Sequence, residues 1–495
     1  MNEGLFSAFS GLKEWNDLLE RVRAPGITSV YNVAEGERAF TAAALANRTG
    51  RCVLLVSPTE LIAQKQAQDA AQLLGGQCAM LPAREIQFSR AAASRESTWQ
   101  RLSVLEDVLC GKIKVLCVSA EGLMSRYAPV RLFRNAAVTL SEGGRIAPQT
   151  LLESLLFSGY ERVDMVEGKG QCSLRGSILD VYPPSADSAL RVEFFDDELD
   201  SLREFDPISQ RSIRRVKSAK VGPASEALID PDAREQSAVR LRDAITSEQK
   251  FSPSIGKMAL EKEGDLADLP PIEEIISGDG EDDEEQNAAL ELHAQALLSG
   301  EKGVPATARD NAYKRHLDDV DVVRRGYPTR TGSMWMNVLH PQTASLFDYL
   351  ENPILLLDAP DQLQVRAKAR QEGFVQDFGE AQRRGDAFDA QLKLLYTYDE
   401  LVQRLTGRAV VTLGDLQRGM GQVKPEVLLD FGSSPVMPYQ SQLKPLCGDI
   451  AQWKEKGFCI ALLAGGEARG RRLERALSEL DTPCVYTDSL PSNLI

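Results

Sequence analysis

The stretch Asn32-Val33-Ala34-Glu35-Gly36-Glu37-Arg38-Ala39 follows a short apolar run, Ile27–Tyr31, and precedes a helix-like run, Phe40–Asn47. A loop at such a strand-to-helix junction can cradle a phosphate. In the pattern G-x-x-x-x-G-K-[ST], glycines let backbone N–H groups approach, a lysine reaches the outer phosphates and a hydroxyl binds Mg²⁺. Laid on that pattern, Asn32 stands for the first glycine, Glu37 for the second, Arg38 for the lysine and Ala39 for the hydroxyl residue. Glu37 resists the backbone angles open to glycine, and its carboxylate repels a polyphosphate. Ala39 cannot hold magnesium, and arginine is no equivalent of lysine at a tight phosphate site. These residues describe a nucleotide loop that has lost its nucleotide, or a plain turn; nothing local separates the two.

The matching acidic motif is also incomplete. A nucleotide hydrolase follows a buried strand with acids that hold Mg²⁺ and orient water. After Ile354–Leu357 the chain reads Asp358-Ala359-Pro360-Asp361, with alanine at the usual glutamate position. The turn Gly465-Gly466-Glu467 lacks a following lysine and reads as a strand–helix connection. Catalysis and a bound cofactor are therefore not expected in these residues.

Other chemistries find little support. Eight cysteines are scattered at 52, 78, 110, 117, 172, 447, 459 and 484, none in a CxxC pair, which suits a reducing cytosol and argues against zinc. The histidines are His293, His316 and His340, without helical pair spacing. Lys and Arg number 57 against 72 Asp and Glu, a net charge of −15. Duplex affinity rests on cationic contacts to phosphates, so the expected partner is a protein. No apolar run approaches the roughly 20 residues of a membrane helix, and Met1–Glu20 lacks the pattern of a signal peptide. A cytoplasmic protein, monomeric by default, is expected.

At 495 residues the chain should hold about three or four domains. Residues 1–135 alternate short β-rich runs (Ile27–Tyr31, Cys52–Ser57, Ile113–Val118) with helical patterns, which argues for a parallel sheet. Leu5, Phe9, Leu12, Trp15 and Leu19 fall on one helical face. Residues 136–220 are short and alternating, with turn signals at Gly168–Gly170, Pro183–Pro184 and Asp196–Asp197, as in an antiparallel β-rich insert. Residues 221–385 read as the remainder of the first domain, with a solvated acidic loop at 278–291 and a buried strand at Ile354–Leu357 that rejoins the first sheet. Residues 386–495 read as a linker and a small α/β unit, with a buried strand over 458–464.

Within the insert, Arg191, Glu193 and Phe195 share one strand face and Leu190, Val192 and Phe194 the other, because side chains alternate. A phenylalanine among charges on a polar face calls for a cover, and arginine and aromatic residues are enriched at interface hot spots.

Residues 160–212 resemble the domain shared by the excision-repair helicase UvrB and the transcription-repair coupling factors. The resemblance rests on Arg175-Gly-x-Ile-x-Asp-Val-x-Pro183, Arg191-Val-Glu-Phe-Phe-Asp-Asp-Glu198 and Phe205-Asp-Pro-Ile-Ser-Gln-Arg-Ser212. UvrB keeps an intact phosphate loop; the eroded loop here, with 81–102, is similar to the coupling factors. The resemblance extends over essentially the whole chain, most weakly over 225–435. It implies an α/β fold: a degenerate P-loop NTPase-like parallel-sheet domain with an inserted β-rich domain, followed by a small α/β domain. It implies a non-catalytic adaptor that recruits UvrA to lesion-stalled RNA polymerase, with Arg175, Arg191 and Phe195 matching the UvrA-contacting residues. Polymerase binding, ATP and Mg²⁺ use and double-stranded DNA translocation would belong to domains beyond Ile495. A C-terminal domain would mask the UvrA surface in the full-length protein, so these residues alone should bind UvrA constitutively. The rival is a divergent UvrB-type ATP-dependent helicase fragment with residual nucleotide binding.

Overall fold

The structure is a computed structural model that describes residues 3–7, 9–88, 95–247, 316–384, 386–414, 424–436, 438–439 and 442–487. The acidic stretch 278–291 and His293 lie outside the described residues.

The chain begins with β1 (Gly26–Tyr31), β2 (Val53–Ser57), β3 (Cys78–Leu81) and β4 (Val115–Ser119), separated by helices Glu35–Thr49, Glu60–Leu74 and Arg95–Leu109. The insert follows, with β5 (Val138–Ser141), helix Pro148–Phe157, then β6 (Glu161–Arg162), β7 (Gln171–Arg175), β8 (Ile178–Val181), β9 (Ala189–Phe195), β10 (Glu198–Phe205), β11 (Ser212–Arg215) and β12 (Ser218–Val221). After helix Arg234–Ser247 the chain returns through β13 (Ile354–Asp358), helix Pro360–Arg384, β14 (Ala409–Gly414) and β15 (Val427–Asp430).

β15-β1-β14-β13-β2-β4-β3 form one sheet, and every pair in it is parallel. β2, β4 and β13 are buried at every position. Such unbroken apolar strands suit a parallel sheet covered on both faces. Alternation sends Leu54, Val56, Leu116 and Leu355 into one core and Val53, Leu55, Val115 and Ile354 into the other. Over the second core the helix Glu35–Thr49 packs an alanine face, Ala39, Ala42, Ala43 and Ala46. Small side chains there let the helix lie close to the sheet.

Three expectations are corrected here. The parallel-sheet domain does not end at residue 385: β14 and β15 pair with β1 from either side, so it continues to residue 430. Residues 458–464 are not a buried strand; they carry no strand pairing, and Phe458 is 62% exposed. Apolar content marks a strand only where a neighbouring edge can pair with it, and none does so among the described residues. The N-terminal helical face is also broken, into helices Glu3–Ser7 and Lys13–Arg21, with Trp15 and Leu18 buried and Leu12 exposed.

In the insert, β11-β10-β9-β8-β7-β6 form a second sheet, antiparallel except for β6 with β7, beside a separate β12-β5 pair. Its core face, with Leu179, Val192, Phe194 and Leu202, packs on Leu151, Leu152 and Leu155 of helix Pro148–Phe157. Two of the contacts that tie the insert to the first domain are specific in their residue types. A Cβ at Gly170 would lie 2.5 Å from the Trp99 ring, so only glycine permits that approach. Glu226, just past β12, accepts from Arg101 Nε at 2.7 Å and Nη2 at 3.0 Å and pairs with Arg84. Both guanidiniums lie near the Tyr127 ring, 5.4 and 5.5 Å from its centroid. Burial alone would raise the Glu226 carboxyl, but the two arginines overcome it and hold its pKa at about 2.

Candidate functional site

Strand β9 sets the site. Leu190, Val192 and Phe194 turn inward, and Arg191, Glu193 and Phe195 turn to the open face. Phe195 ends β9, beside the hairpin turn at Asp196, whose φ of 58° is a left-handed conformation that aspartate tolerates. Its side chain is 79% exposed. Arg175 ends β7, before Gly176 at φ 64°. The pairings Arg175↔Ile178 and Ile178↔Glu193 place this hairpin tip and that of Phe195 at the same end of the sheet.

Asp180 on β8 organises the face. It is 1% exposed and lies between two arginines. Its Oδ1 accepts from Arg191 Nε at 2.7 Å, and its Oδ2 accepts from Arg191 Nη2 at 2.9 Å and Arg175 Nη2 at 2.8 Å. Arg191 also donates to Gln210 Oε1 at 3.2 Å and covers the Phe205 ring at 4.5 Å. The hydrogen bonds to Asp180 raise the pKa of Arg191 and keep it charged. Arg191 is thus mostly engaged within the domain, whereas Arg175 remains 49% exposed beyond its bond to Asp180. Two cations share one carboxylate on the face that also carries Glu193 and the exposed Phe195. Arg203 sits opposite Arg191 and near Glu193 at 3.5 Å.

The loop 32–39 lies elsewhere, at the end of β1. Arg38 forms a buried ion pair with Asp358 at the end of β13. Gln66 Nε2 donates to the same carboxylate at 2.7 Å, and Ser57 bonds Gln66 behind it. The first helical turn is occupied by the chain itself. Ser433 Oγ accepts from Ala34 N at 2.8 Å and donates to Asn32 O at 2.8 Å, and Asn32 Nδ2 donates to Asp430 at 2.8 Å. Burial raises the Glu37 carboxyl above its ordinary range, against hydrogen bonds from Ser433 and the Ala34 backbone. Ala39 is buried against the sheet. The four loop residues and Asp358 do come together, with the cation at the lysine position neutralised by the aspartate.

Sequence reasoning singled out Arg175, Arg191 and Phe195, which the structure brings to one sheet face, and did not single out Asp180, Gln210 or Ser433, which hydrogen-bond at the two sites. An acid between Leu179 and Val181 on a strand was a usable signal for Asp180. Ser433 had none, because its partner Asn32 is about 400 positions away in the chain.

Among the described residues no helix is long and apolar enough to cross a membrane, and no group of acids, cysteines and histidines could hold a metal ion.

The family described as the UvrB interaction domain matches residues 138–226, the segment that holds Arg175, Asp180, Arg191 and Phe195. The chain is 24% identical to the transcription-repair-coupling factor of Bacillus subtilis over 91% of its length and 34% of that protein's. It is 23% identical to that of Myxococcus xanthus, over 97% of this chain and 37% of the relative. A shorter stretch, 31% of the chain, is 36% identical to the Escherichia coli factor. The chain spans about a third of the length of the first two relatives. Taken with the two-sheet fold, these matches make the chain similar to the UvrB-like region of the transcription-repair-coupling factors.

Proposed function

We propose that this region is a non-catalytic adaptor whose β-rich insert docks UvrA, delivering the excision-repair machinery in the cytoplasm to an RNA polymerase stalled at a lesion. One observation carries this reading: within the matched UvrB interaction domain, a rigid arginine pair shares an open sheet face with a phenylalanine left 79% exposed. An anchored cation beside an aromatic side chain has the chemistry of an interface hot spot. Polymerase binding and ATP-driven movement on DNA belong, in this reading, to other parts of the whole protein.

The first domain is, in the same proposal, a scaffold without nucleotide chemistry. The Arg38–Asp358 pair and the Ser433 contacts support this, since a nucleotide would have to displace both.

Calorimetric titration of UvrA with the chain tests the adaptor. Arg175→Ala or Phe195→Ala should weaken binding by roughly 2 kcal/mol, about thirtyfold. If both variants bind as tightly as the parent, the site is wrong.

A further inference from the structure

The turn that follows β10 extends the docking face. Ile208 at its tip is 92% exposed, the most exposed of the large apolar side chains among the described residues. Isolated exposed apolar residues are ordinary, but this one is held rigidly. Asp206 Oδ1 accepts from the backbone N–H of Ile208 at 2.9 Å and of Ser209 at 2.7 Å. Gln210 N donates to Asp206 O at 2.8 Å, and Asp206 N donates to Arg211 O at 3.0 Å. The Gln210 side chain donates to Pro207 O at 2.7 Å and to Val166 O at 3.0 Å. Every bond in this set fixes the backbone beneath Ile208, and none shelters its side chain.

The turn is continuous with the site. Gln210 accepts from Arg191, the residue that shares Asp180 with Arg175. Phe205 pairs with Ala189 at the start of β9, while Phe195 ends that strand. The six residue steps from Ala189 to Phe195 span about 20 Å at the rise of a strand. Ile208 and Phe195 therefore flank the arginines from opposite ends. Ile213, in the register shift where β11 meets β10, is a second exposed isoleucine near the turn.

We infer that Ile208 is a second apolar anchor for the proposed partner. The footprint runs from the Phe195 hairpin across Arg175 and Arg191 to the 206–211 turn. The complementary surface would be acidic at its centre with an apolar pocket on either side. This inference rests on the docking reading above. Because the turn is fixed before binding, little ordering entropy opposes its use as an anchor.

The test is the affinity of the full chain for purified UvrA, with Ile208→Ser, Phe195→Ala and Leu61→Ser compared. Leu61 is 76% exposed on helix Glu60–Leu74 of the first domain, and controls for removal of an exposed apolar side chain. Ile208→Ser should weaken binding about tenfold, and Leu61→Ser should leave it unchanged. If Phe195→Ala weakens binding while Ile208→Ser does not, the anchor is refuted and the docking reading stands. If neither weakens it, both fall. Equal losses for Ile208→Ser and Leu61→Ser would refute the anchor as well, since the effect would not belong to this face. Ile208 packs on nothing, so the melting temperature of its variant should match the parent's.

Discussion

Asp180 and Arg191 meet side-on, Oδ1 to Nε at 2.7 Å and Oδ2 to Nη2 at 2.9 Å, and Arg175 shares the second oxygen. One buried carboxylate therefore sets the positions of both arginines on the open face. A charge-assisted bidentate pair of this kind fixes orientation as well as charge. Its consequence is a division of labour, in which Asp180 positions, Arg191 supports and Arg175 reaches outward.

Asp180→Ala should accordingly damage stability and binding together. It leaves Arg191 largely covered without its counter-charge, a loss of about 2 kcal/mol or more. Arg175→Ala removes a half-exposed side chain and should change stability by less than about 1 kcal/mol, while weakening UvrA binding as much. Urea unfolding beside UvrA titration separates the two. Equal and small stability losses for both variants would show that Asp180 has no positioning role.

The open face was legible because a strand has period two. Arg191-Val192-Glu193-Phe194-Phe195 can bury only alternate side chains, which leaves Phe195 outside. The parallel sheet was legible through β2, β4 and β13, whose runs are apolar up to their last residue. The limits were equally physical. β14 is nearly as apolar, but it follows a long helix, a 3₁₀ turn and the short helix Tyr398–Gln403, and its place beside β1 depends on contacts across nearly 400 residues. Residues 458–464 share that composition yet stay unpaired. Local pattern states what a segment could bury, and the topology decides whether it does. The departures of Glu37 and Ala39 from a phosphate-loop pattern were legible. The contacts that surround this loop were not, because Asp358 and Ser433 arrive from distant parts of the chain.

Acid should weaken the fold in two steps. Burial lowers the pKa of His340 from 6.5 to about 4, so the folded state favours the neutral ring. A depressed pKa gives stability that is full above the unfolded value and is lost as pH falls toward the folded one. His340 thus contributes roughly 3 kcal/mol above pH 6.5 that disappears between 6.5 and 4. Glu226, held at about 2 against 4.5, acts in a lower window, from 4.5 down to 2. Urea midpoints measured across pH should fall in both windows, and His340→Asn should remove only the upper one. An unchanged upper limb in that variant would assign it to other groups.

Nucleotide should leave the chain unmoved. A ligand that binds only the folded state raises its stability by RT ln(1 + [L]/Kd). With the Arg38–Asp358 pair formed, ATP and Mg²⁺ at about 1 mM should shift the melting temperature by less than the scatter of the measurement. Arg38→Ala should instead destabilise by about 3 kcal/mol, because it strands the buried Asp358 carboxylate beside Gln66. A rise in melting temperature with ATP that Arg38→Ala abolishes would favour the divergent helicase reading over the scaffold.

The kinetics of docking should divide between the two ends of the hot spot. Arg175 is half exposed and carries charge that steers encounter, which acts on association and its salt dependence. Phe195 is apolar and would be covered only in the final complex, so it acts on dissociation. In a surface biosensor with immobilised UvrA, Arg175→Ala should therefore slow association and flatten its dependence on salt. Phe195→Ala should leave association nearly unchanged and speed dissociation about thirtyfold, the equivalent of roughly 2 kcal/mol. If Phe195→Ala acts on association alone, its ring steers or orders the approach and is not the buried anchor.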